Sequence, residues 1–427
     1  MYTLIILLFV VGYAAIAFEH SLKINKTASA LLTGVLCWVV YIMGSTNTDI
    51  VSEQLYEHLG QISAILFFLL SAMAIVELID AHDGFEVITS KITTKNKRKL
   101  LWIVSFVTFF LSAVLDNLTT TIVMVSLLRK LIVDKQTRMF FIGIVVIAAN
   151  AGGAWTPIGD VTTTMLWIGG QITTGNIMMK LFLPSVACLA VPLILLSFRI
   201  KGQIENAVVT EARPVNATTA FERKLILGLG IGALIFVPVF KTITHLPPFT
   251  GILFGLGILW VVTEVIHKNK NEADKDVYSV VHALRKADTP SVLFFLGILV
   301  AISALESTHL LANLAIYMDN TIGNINIIVI SIGLLSAIID NVPLVAATMG
   351  MYDLQTYPTD HYFWEFIAYC AGTGGSCLII GSAAGVAAMG MEKIDFFWYV
   401  KKMSLLALVG YFAGALVYMA QHYFLHR

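Results

Sequence analysis

The sequence has few charged residues, which make up 13% of its 427 positions. A soluble domain would carry about 25% charged residues, so the composition argues against a soluble globular protein. Hydrophobic residues reach 58%. Apolar runs of about 18 residues or more recur along the chain, and each is long enough to cross a membrane as a helix. The sequence therefore predicts an all-α, polytopic membrane protein surrounded by membrane lipid.

The chain also lacks a surplus of either charge and has few cysteines. Lys and Arg number 27, and so do Asp and Glu, so no nucleic-acid partner is predicted. P-loop and zinc-protease motifs are absent from the sequence, so neither an enzyme activity nor a cofactor is predicted. The cysteines stand singly in apolar stretches, which predicts small buried side chains rather than disulfides or a metal site: Cys37, Cys188, Cys370 and Cys377.

One membrane topology places most of the Lys and Arg residues on the same side of the membrane. Short cytoplasmic loops carry the excess of positive charge, and one assignment places 24 of the 27 inside. Lys180, Lys241 and Arg427 remain outside. The first apolar run has no basic residue before it, unlike a signal peptide, so we expect a retained helix. The count predicts that both termini lie outside.

The segment of about residues 100–128 is apolar except for Asp116 and has positive clusters at both ends. Both ends therefore lie inside, although two full crossings would need about 40 residues. The pattern predicts a re-entrant hairpin whose tip, with Asp116, Asn117 and Thr119, lies near the middle of the membrane. Irregular backbone at that depth is tolerated where protein buries it or where it lines a cavity.

The next span, about residues 139–170, is interrupted by several glycines and by Pro157. This composition predicts a broken helix. A broken helix that faces a polar hairpin tip is how many secondary transporters form an ion site. The polar side chains beside the break are Asn150, Thr156, Asp160, Thr162 and Thr163.

The second half of the chain repeats this plan. Residues 111–117 and 335–341 agree at five of seven positions. The glycines of the first break recur at a nearly constant shift, at Gly374, Gly375 and Gly381. We expect a second hairpin at about residues 326–352, entering from outside, and a second broken helix at about 363–391. Inverted repeats with paired hairpins and broken helices predict a secondary transporter.

This plan divides the chain into four parts. Residues 1–60 are predicted to form N-terminal scaffold helices, and residues 61–200 the first repeat. Connecting loops and two further scaffold helices occupy residues 201–289. The second repeat covers residues 290–427.

Three carboxylates fall at predicted mid-membrane positions: Asp116, Asp160 and Asp340. An ionisable residue there costs on the order of 3 kcal/mol or more and is usually retained for function. Carboxylate, hydroxyl and carbonyl oxygens suit hard cations. A desolvated carboxylate also has a raised pKa, so it can release a proton when a cation arrives. Competition at one carboxylate is the simplest coupling for exchange.

Structural roles are the alternative for several of these residues. Asp160 precedes a helix that it could cap. Asp116 and Asp340 could serve only as structural hydrogen-bonding groups. Residues near span ends are expected to be interfacial: Glu77, Asp80, Glu264, Glu306, His82 and His309.

At these motifs the sequence resembles the NhaD-type sodium/proton antiporters of the ion transporter superfamily. The resemblance covers nearly the whole chain and rests on residues 18–26, 116–121, 150–164, 340–341 and 374–376. It implies that sodium or lithium leaves the cell while protons enter, and it suggests a homodimer. It also implies a functional polar set: Asp116, Asn117, Asn150, Asp160, Thr162, Thr163, Ser336, Asp340, Asn341 and Ser376.

Within this set the resemblance implies Na+ contacts at both tips and at the first break: Asp116, Asn117, Asp160, Asp340 and Asn341. Ser382 stands where the first repeat has Asp160. The two half-sites therefore cannot be chemically equivalent.

Two other functions need comparison with this one. The nearer is a carrier of the same fold for an anion, such as a sodium-coupled dicarboxylate symporter or an arsenite exporter. Binding a dianion would favour neutral tips and helix N-termini, whereas aspartates at both tips repel it. The more distant is an intramembrane aspartyl protease, but the Gly-x-Gly-Asp member of the expected Tyr-Asp and Gly-x-Gly-Asp pair is missing.

Overall fold

The computed structural model describes residues 1–204, 218–268 and 270–425. Within these residues the chain folds into helices joined by short loops, which confirms the all-α prediction. Arg213 and Arg427, which enter the count of positive charges, lie outside the described residues.

Ten helices precede residue 204. They are α1 (Tyr2–Ala17), α2 (Glu19–Leu22), α3 (Lys26–Gly44), α4 (Thr48–Ala81), α5 (Glu86–Thr89), α6 (Lys97–Leu115), α7 (Asn117–Leu131), α8 (Lys135–Gly153), α9 (Val161–Ile168) and α10 (Thr174–Arg199).

The helices after residue 218 begin with α11 (Ala220–Thr244), α12 (Pro248–His267), α13 (Glu272–Val277), α14 (Val280–Lys286), α15 (Thr289–Ser307) and α16 (Leu310–Ile322). They continue with α17 (Ile325–Leu335), α18 (Asn341–Met351), α19 (Tyr362–Gly374), α20 (Ala383–Glu392), α21 (Phe396–Tyr399) and α22 (Leu405–Leu425). A π-helical turn, Val400–Ser404, joins the last two.

Eight helical segments of the described residues are long and apolar enough to cross a membrane. Helices α16 and α17, which meet at a bend of 119°, add a ninth if they are counted as one span. The chain is therefore polytopic, as its composition predicts.

Each predicted hairpin is a pair of helices that meet at an aspartate. Asp116 alone separates α6 from α7, and residues 336–340 separate α17 from α18. The Asp116 carboxylate accepts a hydrogen bond from the Thr119 N–H at 2.8 Å, and the Asp340 carboxylate accepts one from the Val342 N–H at 3.2 Å. The aspartates thus satisfy backbone N–H groups that the turns leave free within the membrane.

Each broken helix packs tightly against the hairpin of its own repeat. A Cβ atom on Gly152 would overlap the carbonyl oxygen of Phe109, and one on Gly374 would overlap that of Gly333. Only glycine allows this close approach of two backbones. Because the contacts are equivalent in the two halves, the sequence repeat is also a structural repeat.

The two repeats run in opposite directions. Helix α20 ends at Glu392, which accepts hydrogen bonds from Arg129 at 3.0 Å and Arg138 at 2.8 Å, at the base of the first hairpin. At the other end, Asp360, beyond the second hairpin, accepts bonds from the N–H and hydroxyl of Thr173 at 2.6 and 2.7 Å. Each broken helix starts beside its own hairpin base and ends near that of the other repeat. This arrangement is what inverted repeats require.

His82 lies directly after α4, at the end of a predicted membrane span. The side chain is fully buried, stacks on the ring of His267 and contacts the tilted ring of Tyr278, each at 5.1 Å between centroids. Its Nδ1 lies 2.7 Å from the Leu78 carbonyl oxygen, so Nδ1 carries the proton. Its Nε2 then accepts from Nε2 of His267, 2.9 Å away. Helices far apart in the sequence bury this pair, which hydropathy alone does not reveal.

The buried histidine predicts a pH-dependent stability. Burial lowers the pKa of His82 from its ordinary value of 6.5, because the charged ring would lose its hydration. A basic group whose pKa is lower in the folded protein contributes to stability at pH values above the pKa that it has in the unfolded chain. That contribution is lost as the pH falls towards the pKa that the group has in the folded protein. We therefore expect the thermal unfolding midpoint of the detergent-solubilised protein to decrease once the pH is lowered below about 6.5.

The measurement is a thermal melt at each pH for two variants. His82→Gln should flatten the acid decline, whereas His309→Gln, at an exposed position, should keep it. Equal acid declines in the two variants would contradict this account.

Candidate functional site

The Asp160 carboxylate lies where the first break meets both hairpin tips. It is buried, and Asn117 of the first tip donates to its Oδ2 at 2.5 Å. Asn341 of the second tip lies 3.4 Å from its Oδ1. The N–H and hydroxyl of Thr162 donate to the same oxygen at 2.9 and 2.8 Å. Asp160 therefore caps α9 and also joins the two repeats.

Asn150, the last polar residue before the first break, extends this network to the second break. Its Oδ1 accepts from Asn117 at 3.0 Å. Its Nδ2 donates to the hydroxyls of Ser376 at 2.8 Å and Ser382 at 2.9 Å. Ser382 is a residue that the sequence analysis used only to show asymmetry, although its place opposite Asp160 in the repeat was the signal for a site role.

Asp116 occupies the first tip in an unusual backbone conformation. Its φ of 91° and ψ of 159° fall in a region that is essentially restricted to glycine. Its carboxylate also accepts from the Thr119 hydroxyl at 2.9 Å. Asp116 and Asp160 line one small cavity of about 60 Å³, together with Asn117 and Thr119. Two predicted ion ligands of the first half-site thus line one cavity.

Asp340 does not share that cavity. The sequence analysis expects the two hairpin tips to meet, and their asparagines do meet at Asp160, but the Asp340 carboxylate points elsewhere. Its Oδ2 lies 3.6 Å from Nζ of Lys26, and the two line a separate cavity of about 80 Å³. The two tip carboxylates are therefore in different surroundings.

Three predicted site hydroxyls bond to backbone instead of to the polar network. Thr156 donates to the Ala113 carbonyl at 2.6 Å, and Thr163 to the Asp160 carbonyl at 2.9 Å. Ser336 donates to the Ala371 carbonyl at 3.1 Å, just as Ser112 donates to the Ala149 carbonyl at 2.6 Å in the first repeat. These contacts hold the breaks and hairpins together.

Comparison with known proteins identifies the family. A relative from Arabidopsis thaliana named Sodium/proton antiporter 1 is 56% identical over 418 residues, which is 97% of this chain and 72% of the relative. An Na(+)/H(+) antiporter NhaD from Alkalimonas amylolytica is 28% identical across 97% of this chain and 89% of its own. The chain belongs to the NhaD-type sodium/proton antiporter family.

Two further comparisons concern a family model and the fold. A family model described as "Citrate transporter" matches residues 13–362. The crystal structure of the YdaH transporter from Alcanivorax borkumensis, described as having an unusual topology, matches with a TM-score of 0.57 and 13% identity, over 89% of this chain and 90% of that one. The latter likeness shows a shared fold.

This NhaD-type chain has an acidic cavity that the sequence analysis missed. About 370 Å³ in volume, it lies between the end of α4 and α7 and is lined by Asp80, Asp83 and Glu86. Ile122, Ser126 and Lys130 also line it, and they follow Thr119 along one face of α7. The cavity therefore extends along α7 towards the tip.

The acidic side chains of this cavity are partly neutralised. Arg223 lies 2.8 Å from Glu86 and 3.9 Å from Asp83. A cluster of carboxylates at a cavity mouth raises the local concentration of cations. Three acidic residues within seven positions at the end of a span were the sequence signal for this feature.

Substitution of the tip aspartates by asparagine separates ion binding from helix capping, because asparagine caps a helix about as well as aspartate. We expect Asp116→Asn and Asp340→Asn each to reduce cation-driven proton flux to the level of empty liposomes. Ser382→Ala should leave measurable exchange, since its hydroxyl carries no charge.

The matched control is Asp134→Asn. Asp134 is exposed and caps α8 through the Thr137 N–H at 2.8 Å, so this variant changes the same chemical group outside the site and should keep wild-type flux. Wild-type flux in Asp116→Asn or Asp340→Asn would refute a direct ion-binding role for that residue.

Proposed function

We propose that the protein exchanges cytoplasmic Na+ or Li+ for external protons, by competition at its membrane-embedded aspartates with alternating access. The observation that carries this proposal is the small cavity shared by Asp116 and Asp160 at a hairpin tip and a helix break. Its carboxylate, amide and hydroxyl oxygens are the ligands that hard cations prefer. The names of the NhaD-type relatives support the same exchange.

Two neighbouring carboxylates provide a simple means of exchange. When a cation is bound, both can stay ionised, because the cation offsets their mutual repulsion. When the cation leaves, repulsion and poor hydration favour protonation of one of them. The site formed by Asp116 and Asp160 would then change its access from one side of the membrane to the other with either a cation or a proton bound. It would not do so while both carboxylates are ionised and without a cation. The protein is proposed to act as a transporter and not as an enzyme, and Na+, Li+ and H+ are its cargo rather than cofactors.

An anion carrier is the second candidate, because the matching family model is described as that of a citrate transporter. The geometry favours the cation. A cavity of about 60 Å³ is far below the roughly 300 Å³ at which pockets for organic ligands begin. A di- or tricarboxylate would also face two carboxylates in that cavity, where repulsion is weakly screened.

Flux in proteoliposomes tests the function directly. With a pH-sensitive dye inside, addition of Na+ or Li+ outside should drive protons out of the lumen and raise its pH, and citrate should not drive flux. Proton movement that depends on citrate and not on Na+ or Li+ would support the anion carrier and contradict antiport.

The orientation and assembly are also proposals. We propose a multi-pass protein of a bacterial inner membrane, with both termini outside, that forms a homodimer. The positive-inside count supports this orientation. It places the base of the first hairpin in the cytoplasm and that of the second outside.

Cysteine labelling with a membrane-impermeant reagent tests this orientation. The four native cysteines are buried, so introduced cysteines will dominate the signal. A cysteine at Thr94 should react only from the cytoplasmic side, and cysteines at Thr48 and Thr356 only from outside. Labelling of Thr94 and Thr356 from the same face would overturn the proposed orientation of the two repeats.

A further inference from the structure

A lysine of the N-terminal segment forms an ion pair with the tip of the second hairpin. Nζ of Lys26 lies 3.6 Å from Oδ2 of Asp340 and 4.5 Å above the ring of Phe294. Both charged side chains are partly shielded, with 29% of the lysine and 19% of the aspartate exposed. The attraction is therefore less screened than in a fully exposed pair.

The lysine is held by helices outside the hairpin that it contacts. Lys26 is the first residue of α3, and Asn25 caps that helix by accepting from the Thr27 N–H at 2.8 Å. The Thr27 hydroxyl donates to the Pro290 carbonyl at 2.9 Å, which ties the start of α3 to the start of α15. Asp340, by contrast, begins α18 of the second hairpin. The ion pair thus joins the hairpin tip to the α3 and α15 pair.

The cavity around this ion pair has the polar groups of a cation site. Tyr13, Glu19, Lys26 and Asp340 line it. The Tyr13 hydroxyl is buried and has no hydrogen-bond partner among the described residues. Of the described residues that line the cavity, Lys26 alone is a lysine or arginine. The ammonium group therefore occupies the place where a free cation would meet the Asp340 carboxylate.

The first half-site is built differently. Of the described residues that line its cavity, none is a lysine or arginine, and two, Asp116 and Asp160, are acidic. In the second repeat Ser382 replaces the second carboxylate, and Lys26 adds a positive charge. The two departures act in the same direction, since each makes the second half-site less attractive to a free cation.

We propose that Lys26 is a positioning residue for transport: a tethered cation that pairs with Asp340 and competes with the transported cation for that carboxylate. The hairpin tip is held against α3 while the pair is formed and is released when the transported cation takes the carboxylate. This inference rests on the proposed exchange function, whose failure the experiments below can distinguish.

The first experiment measures the apparent KM for Na+ in proteoliposomes. Lys26→Gln removes the competing charge, so we expect KM to fall about two- to fivefold, in proportion to the modest strength of a partly exposed ion pair. Lys26→Arg keeps the charge and should keep KM near the wild-type value. Lys23→Gln is the matched control, because Lys23 is exposed and nearby in the sequence, and it should leave KM unchanged.

An unchanged or raised KM in Lys26→Gln would overturn the proposal. So would an equal fall in Lys23→Gln, since the effect would then reflect the general surface charge. Should Lys26→Gln fail to fold, Lys26→Met replaces it, because methionine keeps an unbranched chain over Phe294 and removes only the charge.

The second experiment needs no transport. A double-mutant cycle compares the unfolding midpoints of wild type, Lys26→Gln, Asp340→Asn and the double variant in detergent at low salt. If the pair forms, the loss in the double variant should be smaller than the sum of the single losses, by about 2 °C or more. Additive losses would contradict the ion pair. Coupling in this cycle without any Na+-driven flux in wild type would refute the exchange function and leave the ion pair standing.

Discussion

The hydrogen bonds of the Asp160 carboxylate are the interaction on which the rest of the structure depends. Non-helical backbone in a membrane must be buried and its polar groups satisfied. Here two tips and two breaks meet that demand together, since Asn117 and Asn341 approach Asp160 from opposite hairpins and Asn150 reaches Ser376 and Ser382 of the second break. Each irregular segment is thus stabilised by the others, and the same polar groups supply the ligands for a cation.

The inverted repeat gives two half-sites of similar shape and different charge. The first has two carboxylates in one cavity, and the second has one carboxylate that faces a lysine. A symmetric backbone with asymmetric charge can keep both hairpins structurally equivalent while only the second tip carboxylate is paired with a lysine. Ser382 stands where the first repeat has Asp160, and it still caps α20, through the Gly385 N–H at 3.2 Å.

Much of this architecture could be predicted because its signals are local in the sequence. Positive clusters on both sides of a short apolar segment indicated the first hairpin, and glycines with Pro157 indicated the break; helices α6 to α9 follow those patterns closely. The contacts of buried polar side chains were not local. His82 and His267 lie 185 positions apart, and Lys26 meets Asp340 from the other end of the chain, so neither pairing could be predicted from periodicity or charge. For the same reason the sequence indicated three important aspartates but not which two share a cavity.

The central claim is that a cation and a proton compete for the same carboxylates, and calorimetry of Na+ binding to the purified protein tests it most directly. Repeating the titration in buffers of different ionisation enthalpy reports the protons released when Na+ binds. The account predicts net proton release in wild type, with heats that change from buffer to buffer, and loss of that release in Asp116→Asn. Sodium binding with the same heat in every buffer would mean that no proton leaves as Na+ binds, and would contradict the account.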